Sequence, residues 1–388
     1  MTPLPLILIA IVGFGAAFIL GSTVPAWLSG SLIAAMIFGM ITSRKLKASA
    51  VVTREADRLL IAPGESITAR VSISHISKAF LQWMVVMDTL PAGATSNAPT
   101  GLVSFGGLKM DRSFFYSAVF PIRGVFPLGP VKISHGDILA LRFLTEPVDE
   151  PTMVRVHPKI YPIPPVMLPS SRLLGERRGD PRSSEDPTRP MGTRFYVPGD
   201  PQKRIHWRAT ARTGTLVSKV YDGSSEPIHA VIMNTCKFDY TSPANFELAC
   251  MAAASICNAL ALTDQEIGLL GHNWNEPGTG QLHLEQCLSE LAGVQMDNVL
   301  LSEKLVRTNK DIPWRSTLIV VTQKLDEDAA AWLDLRRKAG NSIAVMIVGA
   351  SMESDEAVKR ASMIRAHVAH ARTEAGIESA GFISPSRS

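Results

Sequence analysis

Charge is missing where the chain begins: none of the first 43 residues is Asp, Glu, Lys or Arg, and charged residues make up only 19% of all 388. An ordinary soluble protein carries about 25%, so the shortfall is local and sets the N-terminus apart from a solvated surface. Cysteine is scarce too. The four present (Cys236, Cys250, Cys257, Cys287) all lie beyond residue 235, with no CxxC spacing, which excludes a secreted disulfide scaffold and offers no structural zinc site. No GxxxxGK[ST] run occurs, so ATP binding through a P-loop is not expected. Glycine (28) and proline (26) are too few for a collagenous or wholly disordered chain, and a net charge of +4 excludes a histone-like protein.

What fills the uncharged N-terminus is two apolar runs, Leu4 to Leu20 and Ala26 to Ile41, joined by Gly21-Ser22-Thr23-Val24-Pro25. Each approaches the roughly 20 residues that cross a bilayer core as a helix, so residues 1–43 read as a transmembrane helical hairpin. Arg44, Lys45 and Lys47 follow at once, whereas the intervening loop carries no charge; the positive-inside bias then places both termini in the cytosol. A signal peptide is disfavoured, because no basic segment precedes the first run and a second run follows it.

Residues 51–163 show strand-length alternation, as in Thr68 to Ser74, punctuated by Pro63-Gly64, Gly106-Gly107 and Gly129-Pro130; this predicts a small all-β sandwich. Residues 164–227 are rich in Pro, Arg and Ser, with no apolar periodicity from Ser170 to Pro190, and read as a linker that carries a motif. From 228 to 372 strand and helix patterns alternate. Strands are expected at Ala230–Met233, Ile267–Leu270, Leu318–Val321 and Ile343–Val348, and helices at Pro243–Leu262, Leu282–Leu291, Asp297–Val306, Glu327–Lys338 and Ser354–Ala371. That alternation predicts a doubly wound α/β domain with a mainly parallel sheet, followed by a tail over 373–388. Cys250 and Cys257, seven apart on a predicted helix, read as core.

The densest information lies between Arg194 and Gly214. Asp200-Pro201 reads as a helix start and Gly214 as its stop, which would stack Arg204, Arg208 and Arg212 along one face. From Arg172 to Lys219 there are 11 Lys and Arg against 5 Asp and Glu, a local excess of six positive charges. Its compensation is open: a carboxylate network using Asp200, Glu185 and Asp186, an acidic protein partner, or anionic lipid headgroups. Nucleic acid is not an expected partner, since only Phe195, Tyr196 and Trp207 are interleaved.

The run Arg194-x-Tyr196-x-x-Gly199-Asp200, then Arg204-Ile-x-Trp207 and Ala211-Arg212, resembles the core signature of the domain of unknown function 58. Arg123-Gly124 through Gly129-Pro130, and Asp137-Ile-Leu-Ala-Leu141 after them, are similar to a second stretch usual upstream. The resemblance implies a bacterial protein anchored in the inner membrane, with a von Willebrand factor A-like α/β domain and a MoxR-type AAA+ ATPase as partner in assembling or maturing other proteins. Arg194, Tyr196, Gly199, Asp200, Arg204, Trp207, Arg208 and Arg212 are then the residues expected to bind a partner or couple the domains. Thr193 and His206 stand where the resemblance leads one to expect acidic residues.

A von Willebrand A-type domain further implies a divalent cation at the C-terminal end of the sheet. The loops that would hold it carry Asn234-Thr235-Cys236 after the first strand and Thr322-Gln323-Lys324 after a later one. Asn234, Cys236 and Gln323 make a degenerate set of ligands, poor for Mg²⁺, and Asp239 and Asp264 lack the expected spacing. No cofactor and no catalysis are therefore expected, and the chain reads as a scaffold. The rival readings are a hydrolase centred on Asn234 and Cys236, or a metal-dependent binding module at the same sheet edge.

Overall fold

A computed structural model of the protein describes residues 4–44, 50–76, 82–105, 109–137, 143–164, 190–197, 200, 202–221, 228–314 and 316–383. Lys45, Lys47, Glu185, Asp186, Gly199 and the heart of the expected linker lie outside these ranges. The chain forms two compact units, Met1–Pro158 and Lys159–Ser388.

The first unit opens with two apolar helices, α1 (Leu4–Leu20, 17 residues) and α2 (Val24–Arg44, 21 residues). Between them Gly21 turns the chain at a φ of 58°, a region that glycine enters without penalty. The helices meet closely at Gly13, where a Cβ would fall 2.1 Å from Ser29 Oγ; that hydroxyl is satisfied by donating to the Pro25 carbonyl at 2.8 Å. Both are short apolar helices.

Eleven strands follow: β1 (Ala50–Ala56), β2 (Leu60–Ile61), β3 (Ser66–Ile76), β4 (Gln82–Asp88), β5 (Thr95–Ser96), β6 (Gly101–Phe105), β7 (Lys109–Val119), β8 (Gly124–Leu128), β9 (Val131–Asp137), β10 (Phe143–Pro147) and β11 (Thr152–Val156). They make sheets of order β1-β3-β7-β5, β10-β9-β4-β6 and β2-β11-β8. Two-residue periodicity decides which face is buried: on β3, Ile67, Ala69, Val71 and Ile73 enter the core, while Thr68 and Arg70 face out. The same core takes Val86, Phe114, Tyr116 and Ile133 from other strands.

A buried charge network sits inside this unit. Arg54 pairs with Asp88 (2.9 Å) and Asp149 (2.6 Å), with its side chain 2% exposed. It also donates to the Leu128 carbonyl and to Thr152 Oγ1, and Tyr116 closes the network by donating to Asp88 at 2.5 Å. A buried guanidinium is tolerated only when its donors are filled in this way. Gly129 is required beside it, because a Cβ there would lie 2.2 Å from Arg54 Nη2.

The second unit begins with a ribbon, β12 (Pro190–Phe195) against β13 (Val217–Tyr221), which encloses helix α3 (Trp207–Thr213). Then come β14 (His229–Met233), α4 (Pro243–Leu262), β15 (Ile267–Leu270), β16 (Trp274–Gly278), α5 (Gly280–Gly293), α6 (Leu301–Arg307), β17 (Thr317–Thr322), α7 (Glu327–Lys338), β18 (Ser342–Val348), α8 (Met352–Met363), β19 (His367–Ala371) and α9 (Glu374–Ser379). The sheet order is β16-β15-β14-β17-β18-β19, parallel throughout except for β16. Every residue of β14 and β17 is buried, as a sheet covered on both faces demands. Ser242 caps α4 by accepting from the Asn245 amide, with Pro243 at its first turn. By length and composition α4 would also suit a bilayer span, yet Phe246, Cys250, Ala253, Cys257 and Leu260 are all buried in the unit.

Several details differ from the sequence reading, among them the helix expected over Asp297–Val306, which begins only at Leu301 because Asp297 bridges to Cys236. The expected helix Ser354–Ala371 stops at Met363, Arg365 adopts a φ of 54°, and His367–Ala371 becomes edge strand β19 with alternating burial. Strand β16 went unseen because Pro277 argues against a strand; it is tolerated at the sheet's antiparallel edge. Residues 159–163, assigned to the sandwich, pack with the second unit: the Tyr161 amide donates to Ser255 Oγ at 2.9 Å, and its hydroxyl bonds to Glu374. The expected tail from 373 carries α9, with Ile377 buried, and Ile383 bridges to Val368.

Candidate functional site

The Arg194–Gly214 motif folds as a small arm, and the helix expected from Asp200 to Gly214 is confined to Trp207–Thr213. Asp200 is not a helix cap. Its Oδ1 accepts from Arg194 Nη2 at 2.7 Å and its Oδ2 from the Val197 amide at 3.2 Å, so it closes a turn instead. The Arg194 hydrogen bond, with Arg204 adding to the field, holds this carboxyl below its ordinary range. A single 3₁₀ turn covers Gln202–Arg204, Ile205 bridges to Ser218, and only then does α3 begin.

His206 supplies the N-cap, with Nδ1 accepting from the Ala209 amide at 3.0 Å. The ring nitrogen thus fills the place that an aspartate oxygen fills in ordinary caps. Gly214 ends the helix at a φ of 68°, its amide bonded to the Thr210 carbonyl, as the sequence predicted. The three-arginine ladder is therefore broken. Arg208 and Arg212 share one face of α3 as an i,i+4 pair, but Arg204 belongs to the preceding turn.

Of the expected residues, the structure brings Arg194, Asp200 and Arg204 together, and it ties Tyr196 to the ribbon through its amide and the Leu216 carbonyl (2.9 Å). It leaves Trp207, Arg208 and Arg212 exposed on α3, a helix with no buried residue. Trp207 is 66% exposed and Phe195 72%. Among the described residues no carboxylate pairs with Arg208 or Arg212. Gly199 lies outside the described residues.

The second candidate region is the C-terminal edge of the parallel sheet. Asn234, just past β14, accepts from the Cys236 amide through Oδ1 (3.0 Å) and donates through Nδ2 to Asp239 Oδ2 and Thr322 Oγ1, both at 2.9 Å. The Thr322 hydroxyl in turn donates to the Lys324 carbonyl at 2.6 Å. Gln323 accepts from the Thr241 amide and donates to Thr241 Oγ1 (2.8 Å) and Ser351 Oγ (2.9 Å). Burial raises the Asp239 carboxyl above its usual range, against the Asn234 hydrogen bond that lowers it. Asp264 sits before β15, at the other end of the strands, and cannot contribute here.

Cys236 is buried, and desolvation pushes its thiol up. Cys257 and Cys287 are pushed up by burial as well. Thiolate character is what makes a cysteine reactive, and these environments suppress it.

Sequence reasoning missed a third group beside this edge. Lys304 of α6 reaches under the loop to donate to Thr235 Oγ1 (3.0 Å) and to the Met233 carbonyl (3.4 Å), while Thr235 donates to Asp297 Oδ2 (2.7 Å). Lys304 is 6% exposed, and burial brings its ammonium down to about 8, with Asp297 and Glu290 opposing that fall. No spacing announces this contact, since 69 residues separate Thr235 from Lys304.

Comparison with known proteins bears out the resemblance carried by the arm. The family model described as protein of unknown function DUF58 matches residues 192–358. The uncharacterized protein YeaD of Bacillus subtilis is 22% identical over 311 residues, covering 76% of this chain and 75% of that one. Among solved structures, a von Willebrand factor type A protein from Catenulispora acidiphila matches 42% of this chain and 42% of its own length, with 11% identity and a TM-score of 0.29. The cupredoxin domain of amoB from Nitrosocaldus yellowstonii matches 29% of this chain and 89% of its own, at 7% identity and a TM-score of 0.19.

Proposed function

We propose that this chain, matched over residues 192–358 by a family of unknown function, is a membrane-anchored scaffold that binds proteins and catalyses nothing itself. Its partner is a MoxR-type AAA+ ATPase in the assembly or maturation of other proteins. The observation that carries this reading is the arm: Trp207 and Phe195 are exposed, and Arg208 and Arg212 lack a carboxylate among the described residues. Arg and Trp with a free apolar surface are the residue types that dominate protein–protein hot spots, and their charge suits an acidic face. The buried thiol of Cys236 at the sheet edge favours the scaffold over the hydrolase.

The anchor in this reading is the α1–α2 hairpin, which spans the bacterial inner membrane and leaves the rest in the cytosol. Ile9, Ile11, Val12, Phe18, Trp27 and Leu28 present exposed apolar side chains along it, a surface that hydrocarbon covers without cost. Close approach at Gly13 and Ser29 matches the small-residue seams of membrane helix pairs. The α/β unit is read here as von Willebrand A-like.

Binding of the purified ATPase to the full chain in detergent tests the proposal. Reversing Arg208 and Arg212 to Glu should weaken binding at least about tenfold, which corresponds to about 1.4 kcal/mol. The melting temperature should stay unchanged, because neither side chain is buried. Equal affinity in the variant, or no binding by the wild type, contradicts the reading.

A further inference from the structure

We infer that Asn234 is a built-in substitute for a cation: its side-chain amide joins the loops at the C-terminal edge of the sheet, and this one residue keeps divalent metal out. The donors are wrong for a metal and right for an amide. Asn234 Oδ1 is committed to the Cys236 amide at 3.0 Å, so the orientation of the amide is fixed by its partners rather than by choice. Both Nδ2 hydrogens then point at the two groups that would otherwise serve as hard ligands, Asp239 Oδ2 and Thr322 Oγ1, each 2.9 Å away.

Thr322 cannot turn its hydrogen inward, since the Lys324 carbonyl takes it at 2.6 Å; its lone pair therefore faces the amide. Mg²⁺ and Ca²⁺ bind oxygen at roughly 2.0–2.6 Å, and an NH₂ group wedged between two such oxygens both repels a cation and fills its place. Gln323 repeats the device one step along, linking Thr241, after β14, to Ser351, after β18. Two neutral side chains thus span three loops at this edge of the sheet.

The chemistry differs from a true metal site by one atom. Exchanging the Asn234 NH₂ for an oxygen places a second carboxylate at hydrogen-bond distance from Asp239, itself 6% exposed. Two carboxylates that close repel in a poorly solvated setting, and together with the Thr322 hydroxyl they form three hard oxygen ligands. The inference stands apart from the docking role of the arm and does not depend on any partner.

The test compares thermal melts of the full-length wild type and Asn234→Asp in chelator, in millimolar MgCl₂ and in millimolar MnCl₂. The wild type should melt alike in all three. Asn234→Asp should melt lower in chelator and recover by roughly 5 °C or more with Mn²⁺ or Mg²⁺, as expected for a ligand that binds only the folded state. Asn234→Leu should melt lower with no recovery, which separates loss of the cross-link from gain of a metal site. A wild type stabilised by either cation, or a folded Asn234→Asp that responds to neither, overturns the inference. Should Asn234→Asp fail to fold in chelator, refolding with and without Mn²⁺ decides: recovery only with the metal supports the inference, and equal failure overturns it.

Discussion

Burial brings Lys304 to about 8 from an ordinary 10.5, so between those values the unfolded chain holds a proton that the folded chain has released. Stability then rises with pH across that window, because the unfolded state binds more protons. Below about pH 8 both states are protonated and the full cost of the buried ammonium, about 3 kcal/mol, is present. Replacing Lys304 with Met removes this dependence. The stability of the wild type minus that of Lys304→Met, from denaturant melts, should climb by up to about 3 kcal/mol between pH 7 and the far side of 10.5. The buried thiols and Tyr240, whose values are raised, act with the opposite sign but are common to both proteins and cancel in the difference. Parallel curves would show that the ammonium is not desolvated. At this scale the sequence was least informative: the Asn234 and Gln323 positions were readable as poor ligands, whereas the hydrogen bonds that make them cross-links depend on contacts across 82 and 88 residues.

Helices and strands were legible where composition and periodicity agreed. The helix expected over Pro243–Leu262 is found there, with Ser242 as its cap and Pro243 in its first turn. The arm misled for a local reason: Asp200-Pro201 has the chemistry of a helix start, but Arg194 and the Val197 amide claim the carboxylate first. The cap passes to His206, a residue seldom counted for the role. His206→Ala should remove the side-chain acceptor of the Ala209 amide and leave it only the His206 carbonyl, at a cost of about 1 kcal/mol, the usual value of an N-cap. Amide exchange at Ala209 and Thr210 should then quicken about fivefold, while His206→Asp keeps the wild-type protection. Unaltered exchange in His206→Ala would mean that α3 is held from elsewhere. Strand β19 escaped notice because its five residues continue a helical pattern from α8, and only the left-handed turn at Arg365 separates them.

Over the whole chain, shifts in composition foretold an apolar N-terminus, a strand-rich region and a doubly wound region, and mixed helix and sheet follow in that order. The boundary near 158 was not visible, because Tyr161 and Ile163 declare their allegiance only by packing into the second unit. Nor did the sequence reveal that its most distinctive motif stands largely in solvent. Among the described residues, the ribbon and α3 leave Phe195, Trp207, Arg208 and Arg212 exposed, and this is the surface that the proposed partner would cover.

That cover is the central claim, and a photo-crosslinking side chain at position 207 in the full chain, within native membranes, tests it most directly. The account predicts an adduct with the MoxR-type ATPase that disappears when Arg208 and Arg212 are reversed to Glu. Adducts confined to the chain itself, or an ATPase adduct indifferent to the charge reversal, would contradict it.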